Sequence, residues 1–150
     1  MDIAIGILIF ILVFCFMEFM AWFTHKYIMH GFLWSLHKDH HKKDHASWFE
    51  RNDAFFIFYA VVSIAFFYAG ANTGFWYGWP IGFGIMAYGA AYFLVHDIFI
   101  HQRFKIFRNA NNWYSRGVRR AHKMHHKHLG KEDGECFGML FVPFKYFKRK

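Results

Sequence analysis

Three stretches of the chain are apolar almost without interruption: Ile3–Thr24, Phe55–Ala71 and Phe75–Val95. The first contains Cys15, Glu18 and a closing threonine as its polar positions, the second one serine, and the third no formal charge. Crossing about 30 Å of hydrocarbon takes roughly 20 apolar residues at about 1.5 Å rise each. The first and third stretches meet that length and the second sits at its lower edge. The pattern predicts an all-α integral membrane bundle in a single domain, with about three membrane helices, or four. No basic residue precedes the first stretch and no small-x-small cleavage site follows it, so it is expected to be a retained helix rather than a signal peptide. Gly70–Gly74 (GANTG) is expected to turn the chain between the second and third spans. Pro80 falls near the start of the third, where a missing N–H costs little. Phe104–Lys127 is polar and predicted helical. Phe137–Phe144 is apolar but too short to cross, and is expected to lie in the interface or to cover a site from below.

Charge fixes the expected orientation. All 18 Lys and Arg fall in Lys26–Arg51 and Arg103–Lys150, while residues 1–25 and 52–102 contain none. This is the positive-inside pattern. It places both basic segments in the cytoplasm, with the N-terminus and the turn at Asn72–Gly74 on the other side of an inner membrane. The net charge of +8 then suits anionic lipid head groups, and nucleic acid is not an expected partner. Cys15 and Cys136 lack CxxC spacing and are read as packing residues in a reducing compartment.

The polar segments carry the chemistry. His25-x-x-x-x-His30 is followed by His37-x-x-His40-His41, and His96-x-x-x-x-His101 by His122-x-x-His125-His126. One pair of motifs therefore occurs twice, each time where an apolar span ends on the basic side. On a helix, H-x-x-H-H sets its imidazoles at about 0°, −60° and +40°, on one face. His30 and His37 share a face if the helix continues through Gly31. The H-x-x-x-x-H pairs turn about 140° on an ideal helix, so each brackets a cluster, binds different ions or relies on an irregular turn. Ten imidazoles exceed the four ligands of tetrahedral zinc and the six of octahedral iron, so at least two metal ions are expected. His45 and His128 lie outside the repeat and are not expected to be ligands.

Ligating imidazoles usually donate their second N–H to a carboxylate or carbonyl. Asp53, Asp97 and Glu132 lie near the predicted membrane face and are candidates for that role. Glu18, seven residues before His25 and on its helical face, is another; a bond to a Ser, Thr or Tyr hydroxyl is its alternative. Tyr88 and Tyr92 line the face leading to His96, as packing or as the wall of a tunnel for a lipid-like substrate.

HKYIMHG (His25–Gly31), AYG (Ala87–Gly89), FLVHDIFIHQRF (Phe93–Phe104), AHKMHH (Ala121–His126) and GKEDGECFGMLFVP (Gly130–Pro143) resemble the membrane fatty-acid-hydroxylase superfamily of non-haem di-iron oxygenases, and within it the bacterial carotenoid hydroxylases. The resemblance runs from about Glu18 to Pro143. It implies hydroxylation at C3 of the β-ionone rings of β-carotene, giving β-cryptoxanthin and then zeaxanthin. It also implies two iron ions, dioxygen, and reduced ferredoxin or a similar acidic electron donor. The family's ligand role maps onto His25, His30, His37, His40, His41, His96, His101, His122, His125 and His126, all present. The longer tail of some relatives is missing here, which is not expected to abolish catalysis. The competing readings are a related oxygenase acting on a sterol, a fatty acid or another carotenoid, and a membrane metal transporter or buffer. A purely structural membrane protein would leave the duplicated motifs unexplained.

Overall fold

The computed structural model describes residues 2–42 and 46–148; His45 lies outside them. Among the described residues the chain is all-helical. Helix α1 (Ile3–Phe23) runs directly into a π-helical segment, π1 (Thr24–Phe32), followed by the short α2 (Trp34–His41). Helix α3 (Asp53–Asn72) and helix α4 (Gly78–Tyr92) form a hairpin, and α4 continues into a second π-helical segment, π2 (Phe93–Ile100). Helix α5 (Trp113–His125) and a single 3₁₀ turn at Phe144–Tyr146 complete the chain. Among the described residues, three helices are long and apolar enough to cross a membrane: Ile3–Phe32, Asp53–Asn72 and Gly78–Ile100. The first and third are longer than the apolar pattern alone indicates, because each π segment carries its helix past the end of the apolar stretch.

Helix α4 packs against both α1 and α3, and the backbones meet where side chains are smallest. A Cβ at Gly84 would come within 2.8 Å of Val13 on α1, and one at Gly78 within 2.8 Å of the Gly70 nitrogen on α3. Lipid gives helices no hydrophobic drive to associate, so such close approach and the dispersion it allows hold the bundle together. Met17, Ile85 and Tyr88 form its buried core. The outward faces of α1 and α3 expose Ile3, Ile7, Leu8, Leu12, Phe16, Ile57, Phe58, Val61 and Ile64, as contact with hydrocarbon requires.

Three details depart from the sequence expectation. Gly70 and Ala71 are still helical, and the turn lies later, around Gly74 with its positive φ of 72°; Gly70 is small because Trp79 and Gly78 sit against it. Of Phe104–Lys127, only Trp113–His125 is helical, starting where the Asn112 side chain accepts from the Ser115 N–H at 2.8 Å. Positive φ values at Gln102 and Phe107 fold the preceding residues into irregular backbone. The helix also does not pass through Gly31, whose φ of −102° and ψ of −124° break it between His30 and His37.

Candidate metal centre

The two H-x-x-x-x-H pairs sit on the two π segments, which resolves their spacing. Hydrogen bonds of the i→i+5 type, such as His101 N–H to the His96 carbonyl at 2.9 Å and Leu33 N–H to the Ile28 carbonyl at 3.0 Å, stack residue i+5 over residue i. Ring centroids are accordingly 5.3 Å apart for His25 and His30, and 4.5 Å for His96 and His101. The break at Gly31 then folds α2 back so that His37 lies 5.0 Å from His30, ring to ring. Helix α5 closes the site from the other side with His122, His125 and His126.

The imidazoles sort into two groups. His25, His30, His37, His41 and His125 each offer one nitrogen, all within 4.8 Å of one another, and so do His40, His101, His122 and His126. His96 packs against the second group, its ring 4.7 Å from His40 and 4.9 Å from His122. The groups abut, with His41 stacked on His126 at 4.4 Å. All ten motif histidines are therefore brought together. They are mixed between the repeats: the first group takes four from the first copy and one from the second.

Tautomers follow from the partners. In the first group Nδ1 of His25 faces the Phe137 carbonyl at 3.1 Å, His30 that of Lys131 at 3.0 Å, His41 that of His128 at 3.1 Å, and His125 that of Glu135 at 3.1 Å. Nδ1 of His37 faces the Asn52 Oδ1 at 2.7 Å. A carbonyl oxygen only accepts, so all five Nδ1 atoms are the protonated ones and all five Nε2 atoms carry lone pairs. Those lone pairs point at one another: Nε2–Nε2 distances are 3.2 Å for His25–His37, His37–His41 and His30–His41, and 3.1 Å for His41–His125. Two acceptors cannot hydrogen-bond, so only a cation at the centre satisfies the set. Bonds of about 2.1–2.2 Å in a six-coordinate ion give adjacent nitrogens about 3.0–3.1 Å apart and opposite ones about 4.3 Å apart, matching these edges. The residues fit a metal ion.

In and beside the second group, His40 and His96 are held by carboxylates. His40 Nδ1 donates to Glu50 at 2.8 Å, and His96 Nδ1 lies 3.3 Å from Asp97. Its Nε2 being left as a buried lone pair without a hydrogen-bond partner, His40 shows the same need for a cation, and Nε2 of His126 is likewise buried without a hydrogen-bond partner. Arg103 ties the carboxylates together. Its guanidinium contacts Glu50 at 2.9 Å, Asp53 at 2.8 Å and Asp97 at 3.0 Å, and this raises its pKa further above the ordinary value.

Burial keeps the imidazoles outside the spans neutral. Desolvation, reinforced by neighbouring rings, lowers His37 to about 2, His41 to about 4, His125 to about 3 and His126 to about 2; His40 and His122 are also well below the usual value. Neutral imidazole is the form that binds metal.

Of the four candidate supporting carboxylates, Asp97 touches a ligand candidate, and Asp53 acts at one remove through Arg103. Glu132 is exposed and lies 3.7 Å from Lys131 Nζ; the backbone carbonyl of Lys131 reaches His30 instead. Glu18 meets no histidine. It accepts from the Tyr88 hydroxyl at 2.7 Å and from the backbone N–H groups of Met139, Leu140 and Phe141 at 3.0–3.1 Å. The sequence reading missed Glu50, Asn52 and Arg103 in these roles. Arg103 stands within the VHDxxxHQR motif, whereas the carbonyl acceptors carry no residue-type signature.

A cavity of about 440 Å³ adjoins this centre at His25. Met17, Ala21, Phe55, Phe56, Ile85 and Gly89 line its apolar walls, and His25, Asn52, Asp97 and Arg103 close its polar end.

The family model described as "Fatty acid hydroxylase" matches residues 10–147. Among curated proteins, a "Beta-carotene hydroxylase" of Pantoea ananas is 42% identical over 127 residues, covering 85% of this chain and 71% of that protein. One from Paracoccus sp. (strain PC1) is 37% identical over 133 residues, 85% and 78% of the two chains. The "Beta-carotene 3-hydroxylase 2, chloroplastic" of Arabidopsis thaliana is 39% identical over 130 residues, 85% of this chain and 42% of that one. No solved structure matches the chain at a significant level. A duplicated histidine motif at the ends of membrane-spanning helices, metal-ready imidazoles and these similarities together establish that the chain belongs to the fatty acid hydroxylase family.

Proposed function

We propose that this chain is a β-carotene 3-hydroxylase that holds two iron ions. One would sit among His25, His30, His37, His41 and His125, the other among His40, His96, His101, His122 and His126. The observation that carries the metal reading is the convergence of five Nε2 lone pairs fixed by five protonated Nδ1 atoms. Bound iron supplies the redox chemistry that lets dioxygen attack an unactivated C–H bond, which zinc lacks.

The chain's own residues supply position and dryness. A carotene dissolves in the bilayer, so its ring enters the apolar cavity directly from hydrocarbon. Met17, Ala21, Phe55, Ile85 and Gly89 hold the ring by shape and exclude water, and the cavity's end at His25 sets the ring against the metal centre. Arg103 and its three carboxylates hold His40 and His96 in place, as outer partners of a metal site do. Thr24 and Tyr59, whose hydroxyls lie 2.6 Å apart beside the cavity, share a hydrogen bond that lowers the polarity of the wall. The two electrons that reduce the second oxygen atom to water come from a reduced carrier such as ferredoxin, and the two protons come from solvent. The Lys and Arg gathered at the histidine end steer an acidic carrier to that face. By the positive-inside rule this is the cytoplasmic side of the inner membrane. The apolar cavity also argues against ion transport, as does the lack of any charged residue in Phe55–Ala71 and Phe75–Val95.

Expression in cells that accumulate β-carotene tests the reading. β-Cryptoxanthin and zeaxanthin should appear on chromatography, and a His122→Ala variant that still inserts should form neither. Unchanged β-carotene in cells supplied with iron and donor would refute the substrate.

A further inference from the structure

The segment from His128 to Phe141 has irregular backbone and forms a strap across the five-histidine group. Four of its carbonyls, from His128, Lys131, Glu135 and Phe137, accept from Nδ1 of His41, His30, His125 and His25. The strap thereby sets four of the five tautomers in that group. In the second group the Nδ1 bonds of His40 and His96 go instead to Glu50 and Asp97.

The far end of the strap lies at membrane depth. Met139, 2% exposed, is sunk into the protein, and Leu140 packs on the Met17–Tyr88 core. Non-helical backbone is tolerated at that depth only where its N–H groups find partners within the protein. Three consecutive N–H groups, those of Met139, Leu140 and Phe141, converge on the Glu18 carboxylate. The fit is close: a Cβ on Gly138 would come within 3.4 Å of Glu18 Oε1 and 2.6 Å of the Phe141 carbonyl. Tyr114 holds the other side of the strap, donating to the Leu140 carbonyl at 2.8 Å.

We propose that Glu18 is a positioning residue for the five-histidine site, to which it is joined by the strap it anchors rather than by any contact with a histidine. This rests on the reading that the site holds iron. Its mark is selectivity, because the second site is held by Arg103 and its carboxylates and does not depend on Glu18.

The test uses the full chain in lipid nanodiscs, as wild type, Glu18→Leu and Glu18→Gln. In the metal-free proteins, hydrogen exchange of the amides of residues 139–141 should be fast in Glu18→Leu while the α3–α4 hairpin keeps its protection. After loading and equilibration with a chelator, wild type should keep two irons per chain and Glu18→Leu one. Adding His122→Ala to Glu18→Leu should remove the remaining iron, whereas adding His125→Ala should not. Glu18→Gln keeps one acceptor oxygen, and should show intermediate exchange and about tenfold weaker retention at one site only. It serves as the judging variant if Glu18→Leu does not insert. Protected amides in the variants, two irons held at wild-type strength, or equal loss from both sites would each overturn the proposal. A wild-type protein that binds no iron would refute the proposed function, and this inference with it.

Discussion

Replacing Arg103 by Met removes the guanidinium shared by Glu50, Asp53 and Asp97 while keeping much of the side chain's bulk. The Arg103 and Glu50 side chains are each 10% exposed and that of Asp97 11%, so water cannot take over the interaction. Removing one partner of a buried pair costs about 3–5 kcal/mol, because the other charge stays buried and alone. Here that strain falls on the carboxylates bonded to His40 and His96. Each outer partner of a metal ligand is worth about 10–100-fold in affinity; with two disturbed, the second site should lose about a hundredfold or more. Lysine offers a point charge that cannot fork to three carboxylates, so Arg103→Lys should fall between. The assay is iron per chain against increasing chelator. Arg103→Met should lose one iron at concentrations that leave wild type with two, and the remaining iron should depend on His125 and not on His122. If both irons are released together, or neither is released early, the assignment of Arg103 to the second site is wrong.

Two further outcomes follow from the burial of the site. The folded-state pKa values of His37, His41, His125 and His126 lie at about 2 to 4, below the value of about 6.5 in an unfolded chain. The unfolded state therefore binds more protons in this window. Stability of the metal-free protein is fully present above about pH 6.5 and is lost as pH falls toward the folded values; a thermal midpoint in detergent that stays flat between about pH 7 and 5 would contradict this. Gly89 lines the cavity, and a Cβ there meets only Phe56 at 3.7 Å. Gly89→Ala should keep activity, while Gly89→Phe should block carotene turnover yet retain both irons, a separation that iron analysis and chromatography check.

Much of this architecture was legible in the sequence because lipid imposes a simple rule on it. Uninterrupted apolar runs located all three spans, and the duplicated histidines located the site. The ends of the spans were not legible, because a π-helix differs from an α-helix in hydrogen-bond register and not in composition; His25–His30 and His96–His101 signalled it only as an awkward spacing. The grouping of histidines was hidden for a related reason. It depends on the break at Gly31 and on how α5 docks, both tertiary. Glu18 shows the limit most clearly. Its helical register pointed toward His25, and the Tyr88 hydroxyl it does meet is the alternative the sequence offered; its other partners are backbone N–H groups more than a hundred residues away, which no side-chain pattern announces.

The central claim is that two histidine-held irons in this chain direct dioxygen into a carotenoid C–H bond. Supplying the purified, iron-loaded protein with β-carotene, a reduced donor and isotope-labelled dioxygen tests it directly. The account predicts β-cryptoxanthin and zeaxanthin whose hydroxyl oxygens carry the label. Hydroxylated product with oxygen drawn from water, or no product from protein that holds two irons, would contradict it.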